Sequence, residues 1–265
     1  MCAVANPVET IRLTNGLSLQ YREGGDPKGR PVILLHGVTD SLRCWKPFAD
    51  VMPQHFRTIA VSQRGHGDSS KPKGDYSSAA FSGDLAALMD ALGIGSAHIV
   101  AHSMSTWIAQ RFVLDYAERV ESLTLIGGFV TLEGNPLVEG LVKEIHAMGD
   151  TVDRNLARAF QEGTVATPLA PLYLDMVVEE SMKAPAHVWR ATFAAMLSEK
   201  PEPANIDCPT LLIGCGKDEF FSDADRHALA SVFSNAREIF YPDLGHAPHW
   251  EQPARVARDI VAFIG

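Results

Sequence analysis

The sequence predicts an α/β fold, with a mostly parallel central sheet and helices on both of its faces. Short apolar runs recur along the chain, and most are followed by a segment whose apolar residues repeat at helical spacing. The runs lie at 32–35, 58–61, 98–101, 123–126 and 210–213. A run without polar alternation is typical of a strand buried on both faces, as strands of parallel sheets are. The alternation of strands and helices stops at about residues 129–205, which indicates an insert.

The first two strands are predicted to form an antiparallel hairpin. Residues 9–13 and 17–23 alternate between apolar and polar side chains, and Asn15-Gly16 joins them. Asn-Gly is suited to the left-handed backbone of a two-residue hairpin turn. The hairpin precedes the buried runs, so the run at 123–126 is the sixth strand and a further strand at 238–241 is the eighth.

Helices are expected between these strands and after the last one. They are predicted near 42–51, over about 78–92, directly after residue 101, near 223–233 and at the carboxyl terminus. In the helix predicted over about 78–92, apolar side chains recur on one face and Gly93 ends the helix. The elements predict a core domain of residues 1–128 and 206–265, with a helical lid at 129–205 inserted after the sixth strand.

Composition excludes several classes of function. The chain has 265 residues and a net charge of −9, which argues against nucleic acids and anionic membranes as partners. Cys2, Cys44, Cys208 and Cys215 form no Cys-x-x-Cys pair, so we expect isolated buried thiols in a reducing compartment. With no signal peptide and no membrane-spanning run, the protein is expected to be cytoplasmic. The sequence carries no signal for an oligomeric state.

Ser103 is the first candidate for chemistry, because ligands of parallel sheets bind beyond the carboxyl ends of the strands. It lies directly between the fifth strand and the helix that follows, where a tight turn would expose its hydroxyl. Ala101 and Ser105, two residues before and after it, are small enough to let that turn close. A serine at this place could equally cap the helix, so the turn alone leaves both interpretations open.

Several loops together resemble those of the α/β-hydrolase family. The sequence at 101–105 is similar to the family's Gly-x-Ser-x-Gly turn, although Ala101 and Ser105 replace both glycines. Four further loops follow in the family's order. Residues 36–40 correspond to its His-Gly oxyanion loop and residues 63–69 to its Arg-Gly loop. Residues 214–218 correspond to the loop with the acid, and residues 244–253 to the loop with the base. The resemblance covers nearly the whole chain and implies a lid where the insert lies.

The resemblance implies a catalytic triad with Ser103 as nucleophile, His246 as general base and Asp218 as the acid that orients the histidine. The oxyanion of the tetrahedral intermediate would bind the backbone N–H groups of Val38 and Met104. His249 is the alternative base. Two carboxylates are alternative acids or helix caps, namely Glu219 and Asp223.

The substrate pocket is expected to be largely apolar and to be formed in part by the lid. Trp45, Phe129, Trp189 and Phe193 are the residues predicted to line it. Arg43 and Arg190 are the only candidates for binding an acidic substrate group. Other histidines are expected to organise their loops or to lie on the surface, and no metal or cofactor is predicted. The loop histidines are His36, His66 and His102, and the others are His146, His187 and His227.

The resulting hypothesis is a hydrolase that cleaves a small apolar ester or lactone through an acyl-serine intermediate. Residues 245–251 also resemble hydrolases that cleave a carbon–carbon bond of a ring-cleavage dienoate, which is the first alternative. Such enzymes usually need a cationic group for the substrate carboxylate. A ligand receptor on a hydrolase scaffold, without catalysis, is the second alternative.

Overall fold

The computed structural model describes residues 7–199 and 206–265. Their strands form one eight-stranded sheet. The strands are β1 (Glu9–Arg12), β2 (Ser18–Gly25), β3 (Arg30–Leu35), β4 (Phe56–Ser62), β5 (Ala97–His102), β6 (Val120–Ile126), β7 (Thr210–Cys215) and β8 (Ala236–Tyr241). Their order across the sheet is β1-β2-β4-β3-β5-β6-β7-β8. The predicted strands are all present, with ends that extend beyond the apolar runs.

The sheet is mostly parallel, as predicted. β1 and β2 pair antiparallel across the Asn15-Gly16 turn, with Glu9 opposite Tyr21, and β2 pairs antiparallel with β4. Every other pairing is parallel. The strands β3 to β8 therefore end at one common edge of the sheet, where the loops with the candidate residues begin.

Helices connect the strands and cover the sheet. They are α1 (Lys46–Ala49), α2 (Ser78–Ala91), α3 (Met104–Asp115), α4 (Pro136–Ala147), α5 (Arg154–Glu162), α6 (Pro171–Met182), α7 (Ala186–Ser198), α8 (Asp223–Ala230), α9 (Pro248–Glu251) and α10 (Pro253–Ile264). The helix predicted near 42–51 is instead a 3₁₀ turn, Leu42–Trp45, followed by the short α1. Pro47 interrupts regular helix there, because proline has no N–H to donate to the preceding turn.

Two hydrophobic clusters lie on opposite faces of the sheet. On one face, Ile33 and Leu35 pack with residues of α2, α3 and α8. On the other face, Val32 and Leu34 pack with residues of α1 and α10. Alternate side chains of one strand thus enter different clusters, which explains why the strand sequences are continuously apolar.

The helices α4 to α7 lie between β6 and β7, and we call residues 129–199 the insert. Asn135 and Asp153 cap α4 and α5 by accepting hydrogen bonds from the first backbone N–H groups of each helix. The end of the predicted lid, 200–205, and Cys2 lie outside the described residues. Cys44 and Cys208 are buried free thiols, whereas Cys215 is free and half-buried.

Candidate active site

The candidate residues lie in loops that leave the same edge of the sheet. Val38 follows β3, Ser103 follows β5, Asp218 follows β7 and His246 follows β8. Because these strands are parallel and close together in the sheet, their following loops converge. The sheet thereby brings residues that are far apart in the sequence to one site.

Ser103 occupies a strained turn between β5 and α3. Its φ of 52° is in the left-handed region, which costs a residue other than glycine roughly 1–3 kcal/mol. The turn is held by the backbone: the Ser103 N–H donates to the Ile126 carbonyl at 2.9 Å, and Thr106 donates back to the Ser103 carbonyl. The half-buried serine therefore sits at the amino end of α3 in a fixed backbone conformation.

Ser105 stands where the family's motif has its second glycine, and the structure gives it a role. Its hydroxyl donates to the His36 carbonyl and accepts a hydrogen bond of 2.8 Å from the Gln63 side chain. Both partners belong to loops that follow neighbouring strands, β3 and β4. Ser105 thus ties the beginning of α3 to the loop that carries Val38.

Asp218 and His246 form a buried hydrogen-bonded pair. His246 Nδ1 lies 2.8 Å from Asp218 Oδ2, and each side chain is only 4% exposed. The other carboxylate oxygen of Asp218 accepts from the backbone N–H groups of Phe220 and Phe221, at 2.8 and 3.2 Å. A carboxylate at Nδ1 holds the proton there, which leaves Nε2 of the neutral ring free to accept one.

The alternative residues are placed elsewhere. Glu219 is exposed, and Asp223 forms an ion pair of 3.2 Å with Arg226. His249 is fully buried 4.3 Å from the ring of Trp45, and neither of its ring nitrogens has a hydrogen-bond partner among the described residues. Burial lowers the pKa of His249 well below its ordinary value, so the ring is neutral. The structure therefore brings His246, rather than His249, to Asp218.

A cavity under the insert contains both Ser103 and His246. Its other lining residues are apolar: Val38, Phe129, Leu132, Val138, Leu141, Phe160, Phe193, Met196, Phe220 and Phe221. Gly127 packs directly against the histidine ring, since a Cβ at this position would lie 2.7 Å from His246 Cε1 and Nδ1. The cavity offers a hydroxyl and an imidazole inside an apolar wall.

Comparison with known proteins identifies the family. The sequence model of the "Alpha/beta hydrolase family" matches residues 32–259. The chain belongs to the alpha/beta hydrolase family. An uncharacterised protein of Mycobacterium tuberculosis is 33% identical over 133 residues, which is 50% of this chain and 38% of that protein. The chain thus matches well under two thirds of the length of that relative.

Two further comparisons extend over nearly the whole hydrolase chain. Lipase 3 of a Moraxella species is 25% identical over 279 residues, covering 97% of this chain and 84% of the lipase. The crystal structure of the enol-lactonase from Burkholderia xenovorans superimposes with a TM-score of 0.83 at 22% identity, covering 97% and 99% of the two chains. The structural match shows a shared fold.

Of the four predicted pocket residues, the structure brings two to this cavity. Phe129 and Phe193 line it. Trp45 is fully buried against Phe48 and His249 on a face of the sheet. Trp189 is fully buried in the insert, with its ring 6.0 Å from that of Phe160.

Sequence reasoning did not assign Phe160, Phe220 and Phe221 to the pocket. The last two could have been found, because they come directly after the acid loop and their N–H groups hold Asp218. No comparable signal marks Phe160, which is one of many apolar residues in the insert. Its position depends on how α5 packs over the sheet edge.

The loop histidines organise the hydrolase's turns. His36 Nε2 accepts from the Gln63 N–H, and its Nδ1 lies 2.7 Å from the Gly37 carbonyl. His66 contacts the Arg64 carbonyl, and His102 Nε2 contacts the carbonyl of His246 at 3.0 Å. Burial lowers the pKa of all three, that of His66 to about 4, so they are neutral donors.

The two arginines considered for an acidic substrate are bound elsewhere. Arg43 pairs with Glu180 at 3.2 Å, and Arg190 donates to the carbonyls of Met148 and Gly149. Within residues 7–199 and 206–265 no cluster of three metal-ligating side chains was found. In the same part of the chain, every helix is too short or too polar to cross a lipid bilayer.

Proposed function

We propose that the chain hydrolyses a small carboxylic ester or lactone through an acyl-enzyme at Ser103, with His246 as base and Asp218 as its orienting acid. One observation carries the proposal: the carboxylate of Asp218 fixes the His246 ring in a cavity that also contains a serine on a strained turn. A serine hydroxyl is a weak nucleophile at neutral pH and needs such a base.

The proposed reaction uses these residues in two steps. Ser103 Oγ attacks the carbonyl carbon while His246 Nε2 takes its proton, and Asp218 stabilises the resulting imidazolium. The negative charge on the carbonyl oxygen would be held by the N–H groups of Val38 and Met104. As the first residue of α3, Met104 has an N–H without an acceptor inside its helix. The imidazolium then protonates the departing alcohol. In the second step water attacks the carbonyl of the acyl-serine while His246 takes its proton, and the histidine returns a proton to Ser103 as the acid is released.

The cavity wall favours a neutral, apolar substrate. Among residues 7–199 and 206–265, the lining apart from Ser103 and His246 is apolar and includes no lysine or arginine. A dienoate substrate would bring a carboxylate into this wall without a cation, at a desolvation cost of several kcal/mol. Carbon–carbon bond cleavage is therefore disfavoured, and the names of the lipase and enol-lactonase relatives agree with an ester or lactone.

A receptor without catalysis would have no need of the Asp218–His246 pair. A buried carboxylate that accepts two backbone N–H bonds and a histidine is a costly arrangement to keep in a site that only binds ligands. The pair is what general-base catalysis requires.

Covalent labelling tests the proposal. The wild-type protein is expected to react with a fluorophosphonate at one serine, which peptide mapping should locate at Ser103. It should also release nitrophenol from short acyl nitrophenyl esters, and Ser103→Ala should lose about a millionfold in kcat. Ser122→Ala is the matched control, since Ser122 is buried at the amino end of β6 and should leave turnover unchanged. Label at another serine, or turnover by Ser103→Ala, would contradict the assignment.

A further inference from the structure

The loop that carries Val38 is held in an unfavourable conformation. Thr39 has a φ of 69°, which is rare for a β-branched residue and costs about 1–3 kcal/mol. Asp40 follows it with a side chain that is buried. A strained turn persists only where its surroundings hold it, so the partners of Thr39 and Asp40 decide the position of the Val38 N–H.

Those partners come from the insert. Gln161, at the end of α5, is fully buried, and its Nε2 lies 2.9 Å from Asp40 Oδ1 and 3.3 Å from Thr39 Oγ1. The same nitrogen lies 2.8 Å from Ser181 Oγ on α6, whose hydroxyl donates in turn to the Val177 carbonyl. One amide thus joins the strained turn to two helices of the insert.

The chain directly after Gln161 contacts the loop of the base. The Thr164 side chain and N–H both donate to the Gln161 carbonyl, and the Thr164 carbonyl accepts from the N–H of Ala247 at 2.9 Å. A Cβ on Gly245 would lie 2.6 Å from the Ala166 nitrogen, so the two segments are in close contact. Residues 161–166 therefore hold the Val38 loop and the His246 loop at the same time.

We propose that Gln161 is a positioning residue: by binding Asp40 and Thr39 it keeps the Val38 N–H directed at the carbonyl oxygen of the substrate, so that the oxyanion site is complete only with the insert in place. The inference rests on the proposed hydrolysis, in which Val38 is an oxyanion donor. Gln161 itself does not line the cavity, so its effect passes through the loop.

The charge on Asp40 gives a second way to observe this contact. Burial raises the pKa of Asp40 to about 7, opposed by hydrogen bonds from Gln161 and the Gly37 backbone and by the nearby His246. Three titratable groups of the same region are neutral, because burial keeps the pKa values of Cys44 and Tyr173 high and that of His102 low. The ionised carboxylate accepts the stronger hydrogen bond, so the contact with Gln161 is strongest above pH 7, although the buried charge makes folding of the whole chain less favourable there.

The test compares Gln161→Leu with a control that also loosens the insert. Gln161→Leu should lower kcat for a nitrophenyl ester roughly 10- to 100-fold with KM within about twofold, because a small displacement of an oxyanion donor acts on the transition state. The control is Lys183→Met, which removes the ion pairs of Lys183 with Asp68 in the core and Glu180 on α6, at 2.8 and 2.9 Å and away from the turn. It should leave kcat within about twofold.

Binding of phenylboronic acid provides a readout that does not need turnover. Boron bonded to Ser103 is tetrahedral and places an oxygen in the oxyanion site. The Kd of phenylboronic acid should therefore rise in Gln161→Leu by the same factor as kcat/KM falls. Asp40→Asn keeps an oxygen that can accept from Gln161. It should retain most of the activity and lose less of it below pH 7 than the wild type does.

Each result decides the inference. Unchanged kcat and boronate affinity in Gln161→Leu would overturn it, as would an equal loss in Lys183→Met. If Gln161→Leu does not fold, the pH profile of Asp40→Asn decides, and an acid limb identical to the wild type counts against the role. A wild type that neither hydrolyses esters nor binds the boronate would overturn the proposed function itself, and the positioning role with it.

Discussion

The sheet edge and the insert meet at the same cavity, but they are built in different ways. At the edge, Ser103, Asp218 and His246 each follow a strand, and each is fixed by backbone hydrogen bonds or a charged partner. The insert contributes mostly apolar side chains, such as Leu141 and Phe193, which are fixed only by packing. In the proposed mechanism the edge carries the chemistry, whereas the insert shapes the cavity around it.

Polar contacts join the two regions both inside the protein and near its surface. Gln161 binds the Thr39–Asp40 turn inside the protein, while Lys183 and Arg43 form ion pairs near the surface. Exposed ion pairs contribute about 0–1 kcal/mol, whereas a buried hydrogen bond to a charged group contributes more. The comparison therefore predicts that substitutions at the edge change catalysis strongly. Substitutions in the insert should change selectivity or do little, except at Gln161, which binds the edge directly.

After Ser103→Ala, removing the charge of the acid should have the largest effect. Asp218→Asn preserves the size of the side chain, but its amide can donate to Nδ1 and hold the histidine in the wrong tautomer. We expect kcat for a nitrophenyl ester to fall about 10⁴-fold. Glu219→Gln is the neighbouring control and should keep full activity, because Glu219 is exposed. Loss in the control, or a fall of less than tenfold in Asp218→Asn, would show that another carboxylate orients the base.

The second prediction concerns stability at the contact of the two regions. The folded pKa of Asp40 is about 7, above the ordinary value of 3.8, so folded Asp40 retains a proton that the unfolded chain has lost. The contribution of this carboxyl to stability is therefore fully present below about pH 4 and falls as pH rises to about 7. The side-chain amide of the Asp40→Asn variant does not titrate, so this variant lacks the pH-dependent contribution.

Between pH 5 and pH 8 the free energy of unfolding of the wild type should fall by about 3 kcal/mol relative to that of Asp40→Asn. The fall occurs over the about two pH units from pH 5 to the folded pKa, at roughly 1.36 kcal/mol for each. Thermal unfolding of both proteins at the two pH values measures this difference as a change in their Tm gap. Each kcal/mol corresponds to about 2–4 °C for a chain of this size. A Tm gap that is the same at pH 5 and pH 8 would mean that Asp40 titrates near its ordinary value.

How far the sequence predicts the molecule differs between the same two regions. Every strand and the position of Ser103 at the edge could be predicted from local patterns, because buried parallel strands and the turns after them have short sequence signals. Local chemistry also explains the main error in the core, where Pro47 shortens the expected helix. The contact between Asp218 and His246 followed only from the family resemblance.

The pocket could not be predicted to the same degree. Trp189, Phe193 and Met196 form one apolar stripe of α7, and periodicity treats them alike. In the structure Phe193 and Met196 reach the cavity, while Trp189 packs on Phe160 instead. Which end of such a stripe faces a cavity depends on how the helix crosses the sheet edge, and the local sequence does not encode that crossing.

A glycine in each region gives a matched pair of substitutions. Gly127 and Gly134 both have positive φ, so an alanine strains the backbone at either position by about 1 kcal/mol. Only Gly127→Ala also places a Cβ 2.7 Å from the His246 ring, whereas a Cβ at Gly134 meets nothing within 4 Å. We expect Gly127→Ala to lower kcat about 100-fold through displacement of the base, and Gly134→Ala to leave kcat unchanged. Equal losses in both variants would assign the effect to backbone strain.

The smallest effect is expected inside the insert. Phe193→Ala enlarges the cavity wall without touching Ser103 or His246, so it should change which substrate fits rather than how the bond is broken. The ratio of kcat/KM for an octanoyl ester to that for a butanoyl ester should rise about tenfold, since a few methylenes gain an apolar contact. Trp189→Phe should leave this ratio within about twofold, because Trp189 is buried behind Phe160. A change of the ratio in Trp189→Phe, and none in Phe193→Ala, would place the acyl chain along the other end of α7.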